Sequence, residues 1–150
     1  VQRPEQTLQI GVVAWLRAAL IAPARVWHVP NNMGGSATQG GIYKAMGLTK
    51  GVHDLHFIWS AVGQHELVAP RFGTIEMKTP GDKGGLKAEQ VAFGADVAAC
   101  GHQWDVAESL DEVLDILTGW YVPLRSISET VMFAHRNGIA LKLSPDRWGR

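Results

Sequence analysis

Apolar positions recur at helical spacing through Leu8, Val12, Trp15, Leu16 and Ala19, and Pro4 suits a first turn, so residues 4–21 are predicted to form an amphipathic helix. Residues 25–29 are short and β-prone and stop at Pro30-Asn31-Asn32. The Gly/Ser/Thr-rich stretch 34–41 is predicted as a surface loop, with a short helix over 42–47 ended by Gly47. Gly51 turns the chain into a strand over 54–60, residues 62–65 form a turn, and residues 71–79 form a second strand with Phe72, Ile75 and Met77 among its apolar positions. These two strands are expected to pair.

Residues 79–85 have loop composition, after which 86–100 is helical in pattern with Gly101 as its stop. Residues 103–106 are a short strand candidate. Ser109 with Glu112, and Ser126 with Glu129, are capping-box signatures that start helices running to about residue 117 and to near Gly138. The order helix, strands, helix, strand, helix predicts one α/β domain with a central sheet and a helical C-terminal extension.

Composition narrows the class. The 150 residues are 46% hydrophobic and 19% charged, enough for a packed core and unlike a disordered chain. Cys100 stands alone, so there is no intramolecular disulfide framework. No apolar run is long enough to span a bilayer and no secretion signal is evident, so the chain is read as a cytoplasmic protein without a membrane partner. Net charge is zero but uneven. Residues 1–87 carry nine Lys/Arg against five Asp/Glu, residues 88–120 carry seven acids and no Lys or Arg, and residues 121–150 carry five bases against two acids. A basic half facing phosphate suits a nucleic-acid enzyme, and a solvated helix face explains the acidic stretch equally well.

The candidate chemistry lies in Gly51-Val52-His53-Asp54, Glu76-Met77-Lys78 and Gln90. In a strand, Glu76 and Lys78 share one face and Met77 enters the other layer. A paired strand that begins at Asp54 brings its carboxylate beside Glu76. Two hard oxygens, with the Met77 backbone carbonyl as a third, suit Mg²⁺ or Mn²⁺ and leave positions for water and a phosphate oxygen. Lys78 would orient the attacking water or balance charge on the phosphate. Lys44, Lys50, Arg71, Lys83 and Lys87 surround the site in sequence as candidate phosphate contacts, with Lys50 and Lys83 favoured for their place in flanking turns.

The segments Gly47-Leu48-Thr49-Lys50-Gly51-Val52-His53-Asp54, Ile75-Glu76-Met77-Lys78-Thr79-Pro80 and Leu86-Lys87-Ala88-Glu89-Gln90, followed by Gly101, resemble the VRR-NUC nuclease domain of the PD-(D/E)XK superfamily. The resemblance covers residues 4–117. It implies a restriction-endonuclease-like core over residues 1–118, Asp54 and Glu76 as metal ligands, Lys78 as the catalytic lysine and Gln90 as an orienting group. Glu5 matches the acid on the family's first helix, a candidate ligand for a second metal; its other reading is a favourable acid at a helix N-terminus. Stand-alone members from bacteria and viruses resemble homodimeric nucleases acting on branched DNA, which implies a four-way (Holliday) junction as substrate, with flap, nicking or duplex cleavage as the alternative and a non-catalytic DNA-binding module as the other class. His53 stands where many relatives have proline and is expected to matter little to the chemistry.

Residues 119–150 are read as an extension that could serve dimerisation, with Trp120, Tyr121, Val122, Val131, Met132 and Phe133 as its apolar residues; Trp120 and Trp148 are interface candidates, with core packing as the default for every tryptophan. A zinc site from His53, His56, Cys100 and His102 is disfavoured because His53 and His56, three apart, would face opposite sides of a strand.

Overall fold

The computed structural model describes residues 3–30, 34–62 and 67–146. Helix α1 (Pro4–Ala19) starts with proline at its first turn and buries Val12, Trp15, Leu16 and Ala19. It is followed by β1 (Arg25–His28), α2 (Ala37–Ala45), β2 (Leu55–Val62), β3 (Leu67–Met77), α3 (Ala88–Ala99), β4 (Gln103–Ala107), α4 (Leu110–Gly119) and α5 (Ile127–Arg136). The chain is a mixed α/β protein whose four strands lie in the order β1-β2-β3-β4. The first three are antiparallel neighbours, and β4 returns parallel to β3 through the crossover helix α3.

Strand alternation divides the sheet into two unlike faces. Leu55, Phe57, Trp59, Ile75 and Met77 join the α1 stripe and Leu110, Val113 and Leu117 of α4 in one apolar core. The opposite face carries His56, Thr74 and Glu76 and packs beneath α3, where Phe93 meets the His56 ring and Gly94 lies against Trp104. A side chain at Gly94 would collide with the indole, so this glycine sets how closely α3 approaches β4. Among the described residues no helix is long and apolar enough to cross a membrane.

Three sequence expectations are corrected. The glycine-rich segment is not all loop: Ser36 accepts the Gln39 N–H at 3.3 Å, Gln39 returns to the Ser36 N–H at 3.2 Å, and this box starts α2 at Ala37. The second strand begins at Leu67, earlier than residue 71, and Val62 belongs to β2; residues 63–66 lie outside the described residues. Ser109 caps α4 through the Glu112 N–H at 3.1 Å, but the Glu112 carboxylate turns back to the Glu108 N–H at 2.8 Å, so the box is only half closed.

The segment after residue 118 completes the same core. Trp120 stacks on Trp59 with ring centroids 5.8 Å apart and an interplanar angle of 6°. Val122 is buried, and Leu124, Val131, Leu141 and Leu143 pack against the core. The Arg125 guanidinium donates to the Ala18 and Leu20 carbonyls at 3.1 and 2.9 Å, closing the end of α1. Of the apolar residues expected at a subunit interface, Tyr121 and Met132 are exposed, whereas Trp120 and Val122 are engaged within the chain. Trp148 lies outside the described residues.

Candidate active site

The antiparallel register pairs Leu55 with Ile75, so one step further Asp54, just before β2, stands opposite Glu76 of β3. Asp54 lies in the bend just before β2, where Oδ2 accepts the Met77 N–H at 2.9 Å. This bond carries the carboxylate across to the end of β3. Met77 sends its own side chain into the core, as alternation requires. Lys78 continues the extended backbone by donating its N–H to the Ala107 carbonyl at 2.9 Å. Its Nζ therefore returns to the Glu76 face, 3.4 Å from Glu76 Oε1 and 3.2 Å from Gln90 Oε1.

Gln90 is fixed from two directions. Its Oε1 accepts the Lys87 N–H at 2.9 Å at the start of α3, and its Nε2 donates to Glu76 Oε1. The expected residues Asp54, Glu76, Lys78 and Gln90 thus meet in one cluster. Glu76 and Lys78 are almost fully buried, and Asp54 is half-buried.

Charge in this cluster is not balanced. Burial raises the Glu76 carboxyl to about 8, the Asp54 charge adds to the rise, and the Lys78 ammonium opposes it without overcoming it. Burial likewise raises Asp54, against the lowering effects of the Met77 N–H, His28 and Lys78. Glu76 Oε2 is buried and has no hydrogen-bond partner. Two crowded carboxylates with one oxygen left over have the chemistry of a hard-cation site, so these residues fit Mg²⁺ or Mn²⁺. The charge of Glu5, in the first turn of α1, raises both carboxyls. Among the described residues, no group of three or more His, Cys, Asp or Glu side chains is placed to hold a metal ion together.

His53 has a larger role than its sequence suggested. It is fully buried, with Nε2 2.8 Å from the Gln90 carbonyl and Nδ1 2.8 Å from Thr74 Oγ1. The carbonyl can only accept, so Nε2 carries the proton and Nδ1 accepts from the threonine hydroxyl. Burial lowers the His53 pKa, with Lys78 adding to the effect, which keeps this neutral tautomer. His53 thereby ties the turn before β2 to β3 and to the helix turn that carries Gln90. Gly51 helps to hold the same junction, because its φ of +84° and its closeness to the Glu89 carbonyl leave no room for a side chain. The period-two polar series Thr74, Glu76, Lys78 was the available signal that this sheet face holds a buried polar network.

The ground for setting zinc aside also changes. His53 precedes the strand, and both it and His56 reach Phe93, at centroid distances of 4.9 and 6.0 Å. They do not face opposite sides, but both nitrogens of His53 are already committed and Cys100 is exposed.

Lys44, Lys50, Arg71 and Lys87 are exposed. Lys83, one of the two favoured phosphate contacts, lies 3.3 Å from Glu112 of α4 in a partly exposed pair.

The fold and site together define an α/β protein with a buried Asp–Glu–Lys–Gln cluster where a β-hairpin meets a helix N-terminus. Protein-family models, curated proteins and solved structures give no match to the chain.

Proposed function

We propose that the protein is a divalent-metal-dependent DNA endonuclease of the VRR-NUC type that hydrolyses a phosphodiester bond. The observation that carries this reading is the placement of Lys78 Nζ 3.4 Å from Glu76, on the face where the Asp54 carboxylate also lies. Asp54 and Glu76, with the Met77 carbonyl, would hold Mg²⁺ or Mn²⁺. When bound, such an ion supplies an acidified water and charge for a phosphoryl oxygen.

The chain's own residues do the positioning. Gln90 and Glu76 hold the Lys78 ammonium in place, where it would donate to the attacking water or to a phosphate oxygen and offset the charge that develops there. His53 keeps Gln90 in place through the backbone. Lys50, Lys44, Lys87 and Arg71 offer exposed cations for the DNA backbone, which fix position without reading sequence. The proposed substrate is branched DNA, in the first instance a four-way junction cut by a homodimer, with a flap, nicked or duplex substrate as the alternative.

Cleavage of labelled four-way junction, flap, duplex and single-stranded DNA in Mg²⁺ or Mn²⁺, beside EDTA, tests this reading. Metal-dependent cutting is expected, and Lys78→Ala should slow it by about 10²-fold or more while melting like the wild type. Paired symmetric nicks confined to the junction support the homodimeric junction nuclease. Absence of cleavage on every form, by folded protein with metal present, replaces the enzyme with a DNA-binding module.

A further inference from the structure

The sheet face that holds the site extends well beyond it. Three cross-strand rows lie along this face: Asp54 with Glu76; then Trp27, His56 and Thr74; then Arg25, Ile58 and Phe72. Each row is two residues, or about 7 Å, from the next. The Val29 N–H bonds the Asp54 carbonyl at 3.0 Å, so β1 stays in register up to the edge of the site.

Helix α3 covers only part of this surface. Thr74 is fully buried, but Trp27 and Ile58 remain 39% and 42% exposed, and Arg25 is exposed beside them. The rings beneath are packed in fixed orientations. Trp27 lies 5.9 Å from His56 and 6.4 Å from Phe72, and Phe72 meets His56 edge-on at 5.4 Å. The indole is therefore held in place with part of its surface free.

Resting on the nuclease reading of the neighbouring cluster, we propose that Trp27, Ile58 and Arg25 form a stacking platform for an unpaired base of single-stranded DNA, one row from Asp54. Charge complementarity selects this occupant. Arg25, exposed in the same row as Ile58 and two residues along β1 from Trp27, supplies a cation on this face for the phosphate. A partly exposed aromatic surface with an arginine at its margin suits a base with its phosphate. The patch is far smaller than the roughly 20–30 residues a side of a stable protein interface. Such a platform would engage the unpaired segment of a branched DNA such as a flap, the alternative substrate of the proposed nuclease.

Fluorescence anisotropy of labelled oligothymidylate and of a matched duplex, in EDTA so that no cutting occurs, tests the platform apart from catalysis. Wild-type protein is expected to bind the oligothymidylate, and Trp27→Ala to weaken that binding about tenfold or more relative to the duplex. Ile58→Glu, which leaves the ring contacts intact and adds a negative charge, should do the same, with melting curves confirming that both variants fold. Arg25→Ala should lower the salt slope by about one. Oligothymidylate affinity unchanged in both face variants would overturn the platform, as would a wild-type dimer that both variants turn into a monomer, which would make the face a self-interface. A protein that binds through Trp27 yet cuts nothing keeps the platform and loses the nuclease reading; one that cuts but ignores Trp27 does the reverse.

Discussion

At the end of β3 the two faces of the sheet are both buried and are built from opposite materials. Along β3 and its continuation, Thr74, Ile75, Glu76, Met77 and Lys78 are all buried, and they alternate strictly between polar and apolar. Ile75 and Met77 enter a core shared by α1, α4 and the C-terminal segment, where removal from water stabilises the fold without directional partners. Thr74, Glu76 and Lys78 sit under α3, where each polar atom needs a partner and one, Glu76 Oε2, lacks it. A face that costs stability in this way is better explained by chemistry than by folding.

That contrast can be broken from either side. The largest expected effect on stability belongs to the apolar face: Phe57→Ala, at a fully buried position, should cost about 3–5 kcal/mol in denaturant unfolding. His53→Ala is next. It leaves the Thr74 hydroxyl and the Gln90 carbonyl without their partner and should cost about 1–3 kcal/mol, with a further loss of turnover because the Gln90 turn is released. Glu76→Gln should have the smallest effect and the opposite sign. The Glu76 pKa of about 8 in the folded protein lies above its unfolded value, so the wild type holds its full stability below about pH 4.5 and loses part of it as pH rises towards 8. The glutamine variant lacks this loss. In metal-free buffer its melting temperature should gain on the wild type across that window, and a constant difference would mean that Glu76 is not the buried acid described here.

Features with a local signature were legible in the sequence. Pro4 and the apolar spacing located α1, the Ser126 and Glu129 box located α5, and the Glu-x-Lys alternation placed both side chains on one face. The features missed depend on tertiary contacts or on competing signals. The Ser36 and Gln39 box was present, but the surrounding glycines outweighed it. His53 gave no sign of its role, because its partners Thr74 and Gln90 lie 21 and 37 residues away. Core packing was the default for Trp120, but nothing near it in sequence shows Trp59 waiting across the core. Of the flanking cations, Lys83 pairs with Glu112 of α4, a contact 29 residues away that no local pattern announces.

The chemistry proposed for the site requires Asp54 and Glu76 to share a divalent cation. Calorimetric titration with Mn²⁺ at pH 7, in two buffers of different ionisation heat, tests this most directly. With Glu76 protonated up to about pH 8, binding should release close to one proton per ion, and both binding and release should be lost in Asp54→Asn and Glu76→Gln. No Mn²⁺ binding by the folded wild type, or binding that both variants retain, would contradict it.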